Sequence, residues 1–361
     1  MKNLVLGAAI SAAMFAGTAN AALTLDADGI PEINTNTTEI VYLSGASAAR
    51  GFIEELITNA GVPSANAICD TSKPVWKFKD AGNGKSQNAY MCELDAGNSA
   101  LAGIVTSKPN VLIYKRSAGG SAQGVSPLID QDPADAVSAS IEFLDITAGC
   151  TLSTAAAVGT LGVVVCPSTH LAVPDFGVSD VDPIQFRAQN TPAGFASVSE
   201  ADLANLTVTG SVALTFGIPV TTDMRNGLQE AQFGINDPCV GDDSEACMPS
   251  LSRNQIANIY AGRLNNWDQL KVGGVSVFAN ASALYKGVGP VANRVHICRR
   301  VDGSGTQAQH GIKFLNTPCA DVAAVPATGN TGLFEFAPIA QVHENSGSGD
   351  MTDCLDSLDT G

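Results

Sequence analysis

The sequence predicts an α/β protein with mostly parallel sheets, and three observations lead there. Short runs rich in β-branched and aromatic residues alternate with segments of helical periodicity. Several of those runs end in small or hydroxyl residues where the next helix begins. The chain has 361 residues, 45 % of them hydrophobic, which suffices for two domains with cores of their own.

The elements follow in chain order. After an acidic, Thr/Asn-rich lead over 23–38, Glu39-Ile-Val-Tyr-Leu43 reads as a short strand. Ser44-Gly-Ala-Ser-Ala48 then turns into a helix over 50–57, whose Phe52, Ile53, Leu56 and Ile57 share one face. Residues 61–108 are polar and rich in Gly and Asn, and read as an insertion. Val111-Leu-Ile-Tyr114 is a second strand, running into Lys115-Arg-Ser-Ala-Gly-Gly-Ser121. A long Ala/Val/Asp-rich stretch, 125–172, reads as a second insertion, and Phe176-Gly-Val-Ser-Asp-Val-Asp-Pro183 as a brief strand and a turn. Val212-Ala-Leu-Thr-Phe216 and Ile218-Pro-Val220 read as strands near a domain crossover, and 237–247 as a surface loop. Ser252-Arg-Asn-Gln255 is a capping box ahead of Ile256, Ile259 and Tyr260, with Gly262 as the stop. Arg294-Val-His-Ile-Cys298 alternates as a strand, and a helix follows from Thr306 to about Leu315.

Charge and export narrow the function. With 35 acidic against 19 basic side chains the net charge is −16, no footprint for nucleic acid or an anionic membrane. Any bound anion must be held by local geometry. Lys2, the apolar run Leu4 to Gly17 and the A-x-A site at Ala19-Asn20-Ala21 form a signal peptide, 1–21. Removing it leaves 18 basic side chains against 35 acidic ones, a net charge of −17. No Cys stands directly after the cleavage site and no later segment is apolar enough to span a bilayer. A periplasmic or extracellular protein without lipid anchor or membrane insertion is expected. The nine cysteines then read first as disulfides, since C-x-x-C is absent and the four histidines are scattered. Locality suggests Cys69–Cys92, Cys150–Cys166, Cys239–Cys247 and Cys298–Cys319, leaving Cys354 over, although sequence alone does not fix connectivity.

Four segments share one design: a strand ends in small or hydroxyl residues, and in at least two of them a helix opens. Main-chain N–H groups and hydroxyls in such a place suit an anion. The fourth segment adds Arg299-Arg300, whose planar donor forks fit tetrahedral oxyanions. Here the residues resemble a known family. Arg300-Val-Asp-Gly-Ser-Gly-Thr306 is similar to the R-x-D-G-S-G-T signature of the phosphate-binding proteins of ABC transporters, type 2 periplasmic binding proteins. Ser44-Gly-Ala-Ser47 resembles that family's first loop, Ser117-Ala-Gly-Gly120 its S-S-G-G turn, and Ser179-Asp180 with Pro183 its S-D-x-P turn. Segments 218–220, 251–267 and 295–300 follow the family order.

The resemblance implies a two-domain Venus-flytrap fold with helices on both faces of its sheets, divided as 22–213 and 214–361. It also implies that the return segment from the second domain to the first is absent here. The residue roles it implies are specific. Ser47 and the backbone N–H of Ala48, Ser117, and Ser304, Gly305 and Thr306 would donate to the anion. Arg300 would supply the charge, Asp302 would hold the Arg300 guanidinium, and Asp180 would accept a proton of the ligand. That last contact favours hydrogen phosphate over sulfate. The expected function is capture of inorganic phosphate in the interdomain cleft for an ABC permease, without cofactor, metal or catalysis. The alternative is a secreted surface or matrix protein on the same fold, acting through protein contacts. An exported phosphohydrolase would need a nucleophile–base pair or metal; no G-x-S-x-G or H-E-x-x-H occurs.

Other candidates read more plainly. Gly82-Asn-Gly-Lys-Ser86 lacks the glycine of a P-loop, because position 79 is Lys79. His310 reads as a surface or capping residue. The acids Asp237, Asp242, Asp243 and Glu245 read as a solvated loop without an EF-hand pattern. Trp76 and Trp267 read as core or interface.

Overall fold

In the computed structural model, which describes residues 22–58, 67–82, 86–129, 139–210, 215–277, 294–316 and 341–359, the strand expected at 39–43 is β1, Thr38–Gly45. The segment read as a signal peptide and Cys319 lie outside the described residues. The chain divides into two compact units. The first comprises Met1–Ser44, Ala49–Ser117 and Asp130–Val178; the second comprises Gly45–Ala48, Ala118–Ile129 and Ser179–Gly361. The sequence had suggested one boundary, between 213 and 214; the two units instead exchange segments five times along the chain.

The first unit carries β1, α1 (Arg50–Thr58), β2 (Trp76–Asp80), β3 (Gln87–Glu93), α2 (Ala102–Val105) and β4 (Asn110–Arg116). It continues with β5 (Ile141–Asp145), β6 (Thr151–Thr154), β7 (Gly162–Cys166), β8 (Ser168–Ala172) and β9 (Phe176–Val178). Seven of these strands form one sheet in the order β6-β7-β2-β3-β4-β1-β9, and β5 pairs with β8. The sheet is mixed: β1–β4 and β2–β7 are parallel, whereas β2–β3, β3–β4 and β6–β7 are antiparallel.

Segment 61–108 is no peripheral insertion, for it supplies two strands in the middle of that sheet. Polar Gln87 and Asn88 are buried there, and Gln87 meets the Asp80 carboxylate and the Glu142 carbonyl. Hydrogen-bonded burial of this kind hides a central strand from a hydrophobicity reading. Segment 125–172 likewise supplies β5 to β8. Helix α1 buries Ile53 and Ile57, one turn apart, and leaves Phe52 exposed. Its Glu54 takes the Lys77 ammonium at 2.8 Å and the Tyr90 hydroxyl at 3.0 Å, fastening helix to sheet. Cross-strand partners Tyr42 and Tyr114 stack with ring centroids 4.7 Å apart. Cys69–Cys92 and Cys150–Cys166 are bonded as expected. Trp76 is in the core.

The second unit carries a 3₁₀ turn at Ser121–Gly124, α3 (Ser126–Ile129), α4 (Glu200–Leu203), α5 (Thr222–Phe233) and α6 (Arg253–Tyr260). After them come the hairpin β10 (Lys271–Val272) and β11 (Val275–Ser276), then β12 (His296–Arg300) and α7 (Gly305–His310). Helix α7 runs on as a π turn, Gly311–Leu315, and β13 (Gln341–Asn345) and α8 (Ser348–Asp359) close the unit. The expected capping box of α6 is present in both directions between Ser252 and Gln255. Of the segments read as strands, 215–216 and 218–220 form no strand, and 211–214 lie outside the described residues.

Two cores support the unit. One joins Leu228, Ile259, Leu270, Ile297 and Val342, with Trp267 packed against it. The other joins Ala122, Val125, Val181, Phe186, Val198 and Ala308, residues far apart in the chain. Cys239–Cys247 is bonded as expected. Cys298 is not: it pairs with Cys354 on α8, so the cysteine counted as left over is the partner. The reason is β12–β13 pairing, which carries the chain from β13 straight into α8 beside Cys298.

Candidate functional site

Strand β12 is buried from Ile297 to Arg300 and delivers two arginines to its end. The turn after it returns to α7, whose N-cap Ser304 accepts from the Gln307 N–H at 3.3 Å. Three short segments from earlier in the chain belong to the same unit and bond to this end. The Ala122 N–H donates to the Gly303 carbonyl at 2.8 Å, and the Gly119 N–H donates to Ser346 Oγ at 3.0 Å. The Asp180 N–H donates to Ser121 Oγ at 3.1 Å, while the Thr306 hydroxyl donates to Asp180 at 3.5 Å. Ser47 Oγ accepts from the Ser348 N–H at 3.2 Å and lies 3.1 Å from Ser348 Oγ.

Backbones meet here so closely that two glycines are fixed. Gly120 has φ +77°, and a Cβ on it would lie 2.6 Å from Ser304 Cα. A Cβ on Gly305 would lie 2.5 Å from Ser121 Oγ and 2.9 Å from Asp180 Cβ.

Of the residues expected at the site, the second unit brings together Ser47, Ala48, Asp180, Arg300, Asp302, Ser304, Gly305 and Thr306. Ser117 belongs to the first unit, where it is fully buried and accepts from the buried Lys115 ammonium at 3.3 Å. Asp302 does not hold Arg300. It pairs with Arg299 at 3.2 Å, and Glu344 takes the other end of that guanidinium. Successive strand residues point to opposite faces, so neighbouring arginines take different partners.

The Arg300 guanidinium is buried and donates to the carbonyls of Asn345 (3.1 Å) and Ser346, and to Ser348 Oγ at 3.5 Å. Burial pushes its pKa down, and Asp180 and Asp350 push it back. The Asn345–Ser348 loop was missed in the sequence. Its signal was the same design as the other loops: Asn345-Ser-Gly-Ser348 ends a strand and opens a helix, with Asp350 accepting from the Gly347 N–H at 2.8 Å.

A cavity of about 950 Å³ opens within this unit, with Ala48, Arg300, Thr306 and Ser348 in its lining. Another part of the lining is aromatic. The His310 ring lies between Tyr260 and Phe314, with centroids 4.0 and 5.0 Å away. His310 is therefore not a surface residue; both ring nitrogens are shielded from solvent and without a hydrogen-bond partner among the described residues. Burial lowers its pKa to about 4 and raises that of Tyr260 to about 12, so both rings are neutral at pH 7.

The acidic loop is a set of turn caps: Asp237 accepts from the Cys239 N–H, and Asp242 from the Ser244 N–H. Among the described residues no three His, Cys, Asp or Glu side chains are grouped to hold a metal, and no helix is long and apolar enough to cross a membrane. No family model, no curated protein and no solved structure matches this chain.

Proposed function

We propose that this chain is an exported binding protein for a tetrahedral oxyanion, phosphate first, held at Arg300. One observation carries the reading. Gly45–Ala48, Gly119–Ala122 and Asp180, separated by long stretches of chain, converge on the loops around Arg300–Thr306 within one unit. A guanidinium has five N–H groups. Among the described residues, three are committed to Asn345, Ser346 and Ser348, which leaves two for a ligand. Hydroxyls of Ser47 and Thr306 and the acceptor Asp180 supply the remaining chemistry, and Asp180 favours an anion that keeps a proton. Four disulfides fit an oxidising compartment and so support export. Delivery to an ABC permease extends the same reading.

A second reading rests on those same three bonds. They join β12 to the β13–α8 loop, so Arg300 also serves as an internal clamp, and the chain would act through protein contacts at a cell surface or matrix. Calorimetry on the full chain separates the two. The first reading expects binding of phosphate in preference to sulfate. Arg300→Ala should weaken it by about 2–5 kcal/mol, the usual effect of deleting one member of a buried charged pair. Asp302→Ala, which removes a group bonded to Arg299, should change it by less than about 0.5 kcal/mol. No phosphate heat in the parent chain leaves the clamp.

A further inference from the structure

We infer that the cavity of the second unit takes the apolar body of an organic phosphate monoester whose phosphate group lies at Arg300. This rests on the oxyanion reading and names the substrate class for that site.

The first argument is size. A free phosphate ion is five heavy atoms and would fill a small part of about 950 Å³. Volumes of roughly 300–1,000 Å³ house ligands with an extended body. The second is the distribution of chemistry along the wall. Arg300, Thr306 and Ser348 give one part polar and cationic character, whereas Phe216, Phe314 and Met351 give an apolar one. Aromatic and Met side chains contribute large contact area, and Met adapts its shape to what it packs against.

The third argument is the run of rings in the wall. The His310 ring has its centroid 4.0 Å from that of Tyr260 and 5.0 Å from that of Phe314, and all three residues line the cavity. A planar apolar body that reaches past the arginine meets this aromatic surface, which inorganic phosphate held at Arg300 leaves uncovered.

Titration of the full chain with inorganic phosphate and, in parallel, with phenyl phosphate tests this. Phenyl phosphate should bind about tenfold tighter or more, the return from burying one aromatic ring. Phe314→Ala should bring the two ligands to within about threefold of each other while leaving inorganic phosphate bound as before. Where that variant fails to fold, Met351→Ala on α8 reads the same wall. Equal affinity for the two ligands in the parent chain overturns the inference and leaves the oxyanion reading standing. A phenyl advantage that survives both variants also overturns it, since the body then lies elsewhere. Binding of neither ligand overturns the inference and the oxyanion reading together.

Discussion

Gly305 and Gly51 show how differently one residue type serves this chain. Around Gly305 the Ser121 hydroxyl and the Asp180 Cβ occupy the space of a side chain, and the second of these is no flexible tip. Gly305→Ala should therefore destabilise the protein by about 1–3 kcal/mol, the range for overpacking a close contact. Gly51 is exposed on α1, and a Cβ there would meet nothing within 4 Å. Gly51→Ala should stabilise by about 0.5–1 kcal/mol through helix propensity and a restricted unfolded chain. Urea unfolding of the two variants checks both signs, and a neutral Gly305→Ala would mean that the loops around α7 are looser than described. Arg300 stands out from its motif alone as the candidate charged residue of the proposed site. That Asp302 serves Arg299 was not, because the choice depends on which face of β12 each arginine occupies.

Among the elements, β12 and α8 depend on the disulfide between Cys298 and Cys354. It spans 56 residues, against 8 for Cys239–Cys247. In the chain-entropy account the longer loop is worth about 4 kcal/mol and the shorter about 2.5 kcal/mol. Cys354→Ser should accordingly lower stability more than Cys239→Ser in denaturant unfolding. A non-reducing peptide map should show Cys298 joined to Cys354, and a Cys298–Cys319 peptide would refute the pairing. Locality gave three of the four bonds, where the partners lie close along the chain. It failed for the fourth because β12 and β13 pair across a long intervening segment. Strand β3 was missed for a similar reason: Gln87 and Asn88 look like loop residues until their burial, and the bonds of Gln87 to Asp80 and Glu142, are known.

For the whole molecule the titration of histidine sets an acid limit. Burial lowers the His310 pKa to about 4; burial, with His343 and Arg294 adding repulsion, does the same for His296. Unfolded histidine titrates near ~6.5. Between those values the unfolded chain binds protons that the native state does not, so stability rises with pH there and is lost as pH falls through the window. The melting temperature should drop between about pH 7 and about pH 4.5, and less steeply in a His296→Phe/His310→Phe variant. Equal slopes would assign the loss to the carboxylates instead. At the same scale, the surplus of 35 acidic over 19 basic side chains sets the field in which any anion must be captured. Capture then depends on short-range donors, because the long-range potential repels.

By itself the sequence determined the strand at the start of the first unit, the capping box of α6 and three disulfides. All of these depend on residues near one another in the chain, where spacing alone decides who can meet. Tertiary structure alone decided the rest. It placed polar β3 inside a sheet, assigned Asp302 to Arg299 and Cys354 to Cys298, enclosed Arg300 with the Asn345–Ser348 loop, and buried His310 beside a cavity. Each of those outcomes depends on strand direction and on contacts between distant segments, which burial and hydrogen bonding select only once the chain has folded.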